Sequence, residues 1–548
     1  MIETTMQHGD LLISDVLEYS RRVFPEAKVI TWTGEGTREA SFSEIGDQAA
    51  QLANALVKLG VEQGDRVATF MWNNNEHQAL YAGVPSMGAI LHTLNLRLTP
   101  EQAVFIINHA DDKVIFVDAT VAPLLSPYLA STPNVQHVVV ANGPVESLTA
   151  PDHITVHAYN DLIAGEATTY DWPKIDENTA AVMCYTSGTT GDPKGVVYSH
   201  RSIYLHSMLA TTTMAMQLSN QDSMLAIVPM FHVMSWGLPY AAMMAGSTLV
   251  MPDRFLQPEP LLAMMAATKP TLAAAVPTIW QGVAAQLDAK PQDITHLREV
   301  VVGGAAVPPS MIKKFDGYGV TIIHAWGMTE TSPLGSVARP PAGLTDPDEI
   351  FSYRVTQGRF PAPVKARIVG DNGEEQPWDG EARGELEVAG PWITGAYYQP
   401  EGNVTDPSKF DDGWLRTGDV ATVTPNGFMT IVDRAKDIIK TGGEWISSVE
   451  LENVIASNPA VVEATVIGVP DAKWDERPFV LAVVRSEADT DVDAHKAYLA
   501  ERLPKWQIPE RWSFVTEVPK TSVGKFDKKR VRQAYADGDY TVLGGPEA

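Results

Sequence analysis

Apolar and polar positions along the chain fall into two alternating patterns. In TPEQAVFIINHAD, from Thr99, a threonine N-cap, Pro100 in the first turn and Gln102 closing a capping box predict the start of a helix. The short apolar run KVIFVD that follows predicts a buried strand. Similar runs recur as VQHVVVAN, AAVMCYTSG, MLAIVPM and STLVMP, with helix-length segments between many of them. Alternation of this kind over roughly the first four hundred residues predicts α/β layers with parallel-rich sheets. The character changes near Val432. SSVELENVIASNP predicts a helix capped by Ser447, with Glu450 completing the box, and the runs VVEATVIGV and FVLAVV predict two strands. A helix is expected around DAHKAYLAERL, followed by a basic region. The expected architecture is α/β plus α+β: a large N-terminal domain of several subdomains (1–433) and a small C-terminal α+β domain (434–548), divided at 433–437.

Composition narrows the partners. At 548 residues the chain exceeds the size at which a single core stops growing. Its formal net charge of −26 disfavours nucleic acid or an anionic membrane as a general partner. A polyphosphate ligand would need local neutralisation by a few basic residues, backbone N–H groups or a metal. Cys184 is the only cysteine, so neither an intramolecular disulfide nor a cysteine-based zinc site is available, which suits a reducing compartment. The start, MIETTMQHGDLLISD, does not read as a secretory signal, and no run approaches the roughly 18–20 apolar residues of a membrane span. A soluble cytoplasmic protein without integral membrane association is the expectation.

YTSGTTGDPKGV, Tyr185 to Val196, carries candidate chemistry. Gly188, Gly191 and Gly195 permit backbone conformations that aim N–H groups at an anion, and Thr186, Ser187, Thr189 and Thr190 add hydroxyl donors. It is not the P-loop of nucleotide triphosphatases, because Lys194 lies between Pro193 and Gly195 and has no adjacent Ser or Thr for magnesium. By composition alone the stretch suits an ordinary polar loop as well as a phosphate cradle.

The wording of that loop resembles the signature of the adenylate-forming superfamily, which includes acyl-CoA synthetases, luciferase and peptide-synthetase adenylation domains. VVGGAAVPPS (301–310), HAWGMTE (324–330), GWLRTGDV (413–420), VDRAKDIIKTGGEWIS (432–447) and PKTSVGKFDKK (519–529) are similar to the family's other motifs, in the family's order. The resemblance implies ATP, Mg2+ and CoA as reactants, a small-molecule carboxylate as substrate, and a two-step reaction through an acyl-adenylate. A homodimer is compatible with it.

Carried over residue by residue, the resemblance makes Lys525 the catalytic lysine, Glu330 the magnesium ligand, and Thr329 a contact to the α-phosphate. The phosphates would lie on Thr186, Ser187, Gly188, Thr189, Thr190, Gly191 and Lys194, and the ribose on Asp419 and Arg434. Adenine would lie against Gly303, Gly304 and Ala305 and beside His324, Ala325, Trp326, Gly327 and Met328. Lys436 would be a hinge, with the small domain rotating to present the turn around Gly442, Gly443 and Glu444 to CoA. His232 would shield the acyl-adenylate from the CoA tunnel. The acyl pocket is expected among His232, Val233, Trp236, Gly303, Trp326 and Pro333, with Phe231, Met234, Pro239 and Met328 nearby. No Asp, Glu, Lys or Arg stands among these lining candidates, which predicts an uncharged aliphatic or aryl tail. FHVMSWGLPYAA resembles the medium-chain acyl-CoA synthetase branch, including 3-methylmercaptopropionate–CoA ligases. That acid is the leading expectation. A general medium-chain synthetase and an adenylating enzyme that loads a carrier protein are the alternatives.

Overall fold

The computed structural model describes residues 4–186, 193–370, 372–442, 444–521 and 526–545. Their strands assemble into three sheets. In the first, six parallel strands run in the order Thr155–Ala158, His137–Ala141, Asp112–Asp118, Arg66–Phe70, Ile90–Thr93 and Ala180–Tyr185. Gly195–Ser199 closes the edge antiparallel to Ala180–Tyr185, with Tyr185 opposite Gly195. The glycine- and threonine-rich stretch is therefore the connection of an antiparallel pair at a strand end.

The helix over Pro100–Ala110 starts as its sequence dictates. Thr99 accepts the Gln102 N–H, and the Gln102 side chain accepts the Thr99 N–H. The strands expected from apolar runs are also present, as Asp112–Asp118, His137–Ala141, Ala180–Tyr185, Ser223–Ala226 and Thr248–Met251.

The second sheet has two halves. Thr321–Gly327, Glu299–Val302, Leu272–Ala275, Ser223–Ala226, Thr248–Met251 and Lys28–Trp32 are parallel neighbours. Beyond Thr321–Gly327 the sheet turns antiparallel, through Leu334–Val337, Gly358–Arg359, Phe428–Arg434, Trp414–Val423, Gly384–Ala389 and Lys365–Val369. This half departs from the expected helix–strand alternation. Its outer strands carry mixed exposure, as in KARIV, instead of the continuous apolar run by which a doubly covered parallel strand is recognised.

Helices Phe42–Lys58 and Asn75–Ser86 belong to one apolar cluster with both large sheets, whose members include Leu52, Leu56, Leu80 and Val84 of the helices, Val67 and Val182 of the first sheet, and Ala226 and Leu249 of the second. Every residue of Asn75–Ser86 is buried. Gly83 permits the close approach of these two helices, since a Cβ there would stand 2.9 Å from the Ala49 carbonyl oxygen.

Phe428–Arg434 is the last strand of the large sheet, and Ile439–Thr441 already belongs to the third. That sheet combines Ile439–Thr441, Glu444–Ile446, Val461–Asp471, Asp475–Val484, Arg511–Phe514 and Leu543–Gly544 around its own core of Ile439, Leu451, Val466, Val480, Leu499 and Trp512. Helices occupy Ser448–Ala456, Val492–Ala500 and Lys528–Ala536. Ser447 accepts the Glu450 N–H at 3.0 Å, the serine half of the expected box, while the Glu450 side chain lines the main cavity. Among the described residues no helix is long and apolar enough to cross a membrane.

Four histidines are locked inside: burial pushes His77, His200 and His324 down to about 4 and His206 to about 3. The unfolded chain takes up protons at these sites near pH 6.5, so their contribution to stability is complete above that pH and is lost toward 4. Asp118, pushed up to about 7 by burial, acts with the opposite sign. A variant comparison therefore isolates one histidine better than the net curve. His77→Gln should lose less stability than the parent between pH 7 and 4.5 in urea titrations, and identical pH dependence in the two proteins would exclude His77 as a contributor.

Candidate active site

A cavity of about 1180 Å³ lies where the antiparallel half of the large sheet meets the small domain. Its walls include Thr186, Lys194, His232, Val233, Trp236, Gly303, Gly304, Ala305, His324, Ala325, Trp326, Gly327, Met328, Thr329, Glu330, Pro333, Asp419, Arg434 and Lys436. These sequence-predicted residues come from six separate stretches of chain. Ser187 to Gly191, Gly443 and Lys525 lie outside the described residues. Gly442 and Glu444 are described but are not part of the cavity wall: Thr441 pairs with Glu444 in the hairpin, and the Gly442 N–H donates to Trp474 O at 2.8 Å.

Asp419 is held tightly in the site. It is 2% exposed, yet its carboxylate accepts the Trp326 indole N–H at 2.8 Å and pairs with Arg434 Nε at 2.6 Å. Strand register brings the ion pair about, because Asp419 and Arg434 are direct antiparallel partners. Trp326 is held on its other side by Gly335, where a Cβ would stand 2.1 Å from the indole ring. Gly303 is equally enforced, since its Cβ would be 2.8 Å from Ala325 O and 3.4 Å from the Trp236 ring. Two strand ends therefore approach backbone to backbone, leaving a flat slot at Gly303–Ala305.

Glu330 sits in the short 3-10 turn Thr329–Thr331 and is 7% exposed. Tyr397 donates its hydroxyl to Glu330 Oε1 at 2.8 Å, and Tyr198 donates to Thr329 O at 2.7 Å. Lys194 Nζ lies 3.1 Å from Asp406 and 4.7 Å above the Tyr397 ring centre. Among the described residues no three His, Cys, Asp or Glu converge on one point as a metal cage. Glu330 therefore suits a hard cation whose remaining ligands are phosphate and water oxygens. Tyr397, Tyr198 and Asp406 were not singled out by sequence. In TGAYYQPE a tyrosine pair carries no signal that separates a site residue from a core aromatic.

The apolar part of the wall comes from Val233, Trp236, Ala210, Ala215, Met216, Val301, Leu334 and Val337. His206 joins it as a neutral ring, with Nε2 accepting the Leu334 N–H at 3.2 Å. Phe231, Met234 and Pro239, expected to line this pocket, do not. Phe231 and Met234 pack into core clusters, and all three are buried. For Met234 the cause is local backbone. Val233 to Trp236 all have positive φ, from 40° to 55°, and Gly237 follows at 73°. A left-handed turn of four non-glycine residues costs roughly 1–2 kcal/mol each. It rotates Met234 inward while Val233 and Trp236 face the cavity. Such strain persists only where surrounding packing over-determines it, as at binding sites.

A family model described as AMP-binding enzyme matches residues 17–398, and another, AMP-binding enzyme C-terminal domain, matches residues 450–525. The chain is 43% identical to a 3-methylmercaptopropionyl-CoA ligase of Ruegeria pomeroyi, over 97% of this chain and 98% of that protein. It is also 43% identical to a medium-chain-fatty-acid–CoA ligase of Ectopseudomonas oleovorans, covering 97% of each. Among solved structures, an anthranilate CoA ligase in complex with anthranoyl-AMP matches with a TM-score of 0.85 at 26% identity, over 96% of this chain and 98% of that one. The shared motifs, the cavity that gathers them and these full-length relatives establish that the chain belongs to the AMP-binding enzyme family, as an AMP-forming acyl-CoA ligase.

Proposed function

We propose that this ligase activates a short- to medium-chain carboxylate, with 3-methylmercaptopropionate as the leading candidate. The carboxylate oxygen attacks the α-phosphorus of ATP, pyrophosphate leaves, and the CoA thiol then displaces AMP from the acyl-adenylate to give the thioester. The observation that carries this reading is a single cavity with two chemistries. Lys194, Glu330, Asp419 and Arg434 stand on one part of its wall, and an apolar part contributes no charged side chain.

Each residue then has a role. The slot at Gly303–Ala305 and the edge of Trp326 suit a flat adenine. Asp419 and Arg434 suit the ribose hydroxyls, the carboxylate as acceptor and the guanidinium as donor. Lys194 and the loop that ends at it suit the polyphosphate, and Lys525 would stabilise charge building on the α-phosphate and carboxylate oxygens. Mg2+ would neutralise polyphosphate oxygens, with Glu330 as its protein ligand through the oxygen that Tyr397 does not hold. His232, at the cavity edge before the left-handed turn, suits a shield between acyl group and CoA tunnel. The boundary at 433–437, with Lys436 as the hinge, would let the small domain bring the Gly442–Glu444 turn to the cavity for the second half-reaction.

For the acid, relatives named 3-methylmercaptopropionyl-CoA ligase at 43% and 42% identity support the sulfur-containing substrate. The small side chains Ala210 and Ala215 on the apolar wall favour a second reading, a general medium-chain synthetase, because they leave room for a longer alkyl tail. One methylene is worth only about 1–3 kcal/mol in such a pocket, so activity on both classes is expected.

AMP and pyrophosphate release should be followed with ATP, Mg2+ and CoA across acetate, butyrate, hexanoate, octanoate, palmitate, benzoate and 3-methylmercaptopropionate. The leading reading expects the highest kcat/KM with 3-methylmercaptopropionate. A maximum at hexanoate or octanoate would replace it with the medium-chain reading, and accumulation of acyl-adenylate despite CoA would point to a carrier-protein acceptor. Lys525→Ala should reduce acyl-adenylate formation by at least about a hundredfold with the melting temperature retained; undiminished adenylation would refute its role. Lys436→Pro should spare pyrophosphate release and depress thioester formation, and equal loss in both half-reactions would remove Lys436 as the hinge.

A further inference from the structure

Glu330 and Lys194 have opposite charges and stand on the wall of one cavity, yet each is engaged elsewhere. A direct pair between them would occupy both the carboxylate a cation needs and the ammonium a phosphate needs. One side chain lies between these outcomes. Tyr397 is 5% exposed, donates its hydroxyl to Glu330 Oε1 at 2.8 Å, and presents its ring face to Lys194 Nζ at 4.7 Å.

The backbone around Tyr397 is fixed from three directions. Tyr397 and Val404 exchange N–H···O bonds at 3.0 and 2.9 Å. Two residues earlier than Ala396, the Thr394 N–H donates to Glu330 O at 2.8 Å, tying the segment to the 3-10 turn itself. One residue later, the Tyr398 N–H donates to Gly195 O at 2.9 Å, tying it to the strand that begins beside Lys194. The ring also meets Phe410 edge-on, with centroids 5.5 Å apart. Asp406, which holds the Lys194 ammonium, belongs to the same stretch of chain.

We infer that Tyr397 is a positioning residue for the metal- and phosphate-binding pair: its hydroxyl fixes the Glu330 carboxylate with Oε2 turned to the cation, and its ring holds the Lys194 ammonium away from that carboxylate. This rests on Glu330 as the Mg2+ ligand. Groups that orient a metal-binding carboxylate typically change metal affinity by about 10–100-fold when removed. The ring contributes separately, through a cation–π contact that survives replacement of the hydroxyl alone.

The two functions separate in two variants of the full chain. Mn2+ binding in the presence of a non-hydrolysable ATP analogue, read by electron paramagnetic resonance, should weaken about tenfold in Tyr397→Phe. In the same variant the Mg2+ concentration for half-maximal adenylation should rise by a similar factor, with kcat at saturating Mg2+ and KM for the carboxylate near the parent values. Tyr397→Leu should add a loss of ATP-analogue affinity in the absence of metal, because the ammonium loses its seat; if that variant fails to fold, Tyr397→Phe carries the test alone. A merely structural role would lower the active fraction without moving the metal midpoint. Unchanged Mn2+ affinity and Mg2+ midpoint in Tyr397→Phe would overturn the inference, provided that Glu330→Gln weakens Mn2+ binding. If Glu330→Gln leaves Mn2+ binding intact, the metal-ligand reading of Glu330 falls, and this inference with it.

Discussion

The buried Asp419 carboxylate is the constraint around which the site is arranged. A carboxylate this enclosed is tolerated only with its oxygens satisfied, and here one oxygen takes the Trp326 indole N–H and the other the Arg434 guanidinium. Those partners arrive from different places. Trp326 is the last residue but one of the strand Thr321–Gly327, the last parallel strand of the large sheet, and Arg434 ends the last strand before the small domain. One charge therefore sets the distance between the slot at Gly303–Ala305 and the chain's exit from the large sheet. The parallel-to-antiparallel change in the second sheet is what makes this possible, since it folds Trp414–Val423 and Phe428–Arg434 back beside the parallel strand ends.

The same logic reconciles a strongly acidic chain with anionic substrates. The net charge of −26 is a property of the whole surface, whereas binding depends on what faces the cavity. Lys194, Lys409, Lys436, Lys528, Lys529, Arg434 and Arg532 all contribute to its wall. Acidic side chains share that wall, among them Glu330, Asp419, Asp433, Asp437 and Glu452, so the cations act as individually placed groups beside a polyphosphate and not as a cleft of one sign. Burial holds the Lys436 ammonium below its ordinary range, so that group gains from an incoming anion.

Much of this was legible in the sequence, for identifiable reasons. The helix at Pro100–Ala110 announces itself through Thr99 and Gln102, because a capping box is a local device with a fixed spacing. Buried parallel strands show as apolar runs, because both faces are covered. The antiparallel half was illegible, since strands with one wet face blend into loops unless their alternation is strict. Glu330, Asp419 and Arg434 stood out through motif wording, and the cavity gathers them. Tyr397 did not, because its importance lies in what it touches: a carboxylate 67 residues earlier and a lysine just before the strand Gly195–Ser199. Met234 was misjudged for a related reason. Which side of a loop faces a cavity depends on backbone handedness, and four consecutive positive φ values in non-glycine residues have no sequence signature.

The contacts at the proposed hinge show how such a pivot can be firm and yet separable. Lys436 lies between two aspartates with different allegiances. Asp433, still in the large sheet, accepts the Ser448 N–H at the start of helix Ser448–Ala456, an anion at a helix N-terminus. Asp437, beyond Lys436, pairs at 2.6 Å with Arg532 of helix Lys528–Ala536. A rotation at 436 would carry the second contact along intact and break the first. The contact that breaks is a hydrogen bond to a carboxylate at a site water can re-enter, so its loss is offset by hydration once the interface opens. The Lys528–Glu452 pair, at 2.9 Å, lies wholly inside the small domain and would travel with it. The Lys528–Glu452 and Arg532–Asp437 ion pairs thus stay on one side of the pivot, while Asp433, which also feels the Lys528 charge, reaches across it through the Ser448 N–H.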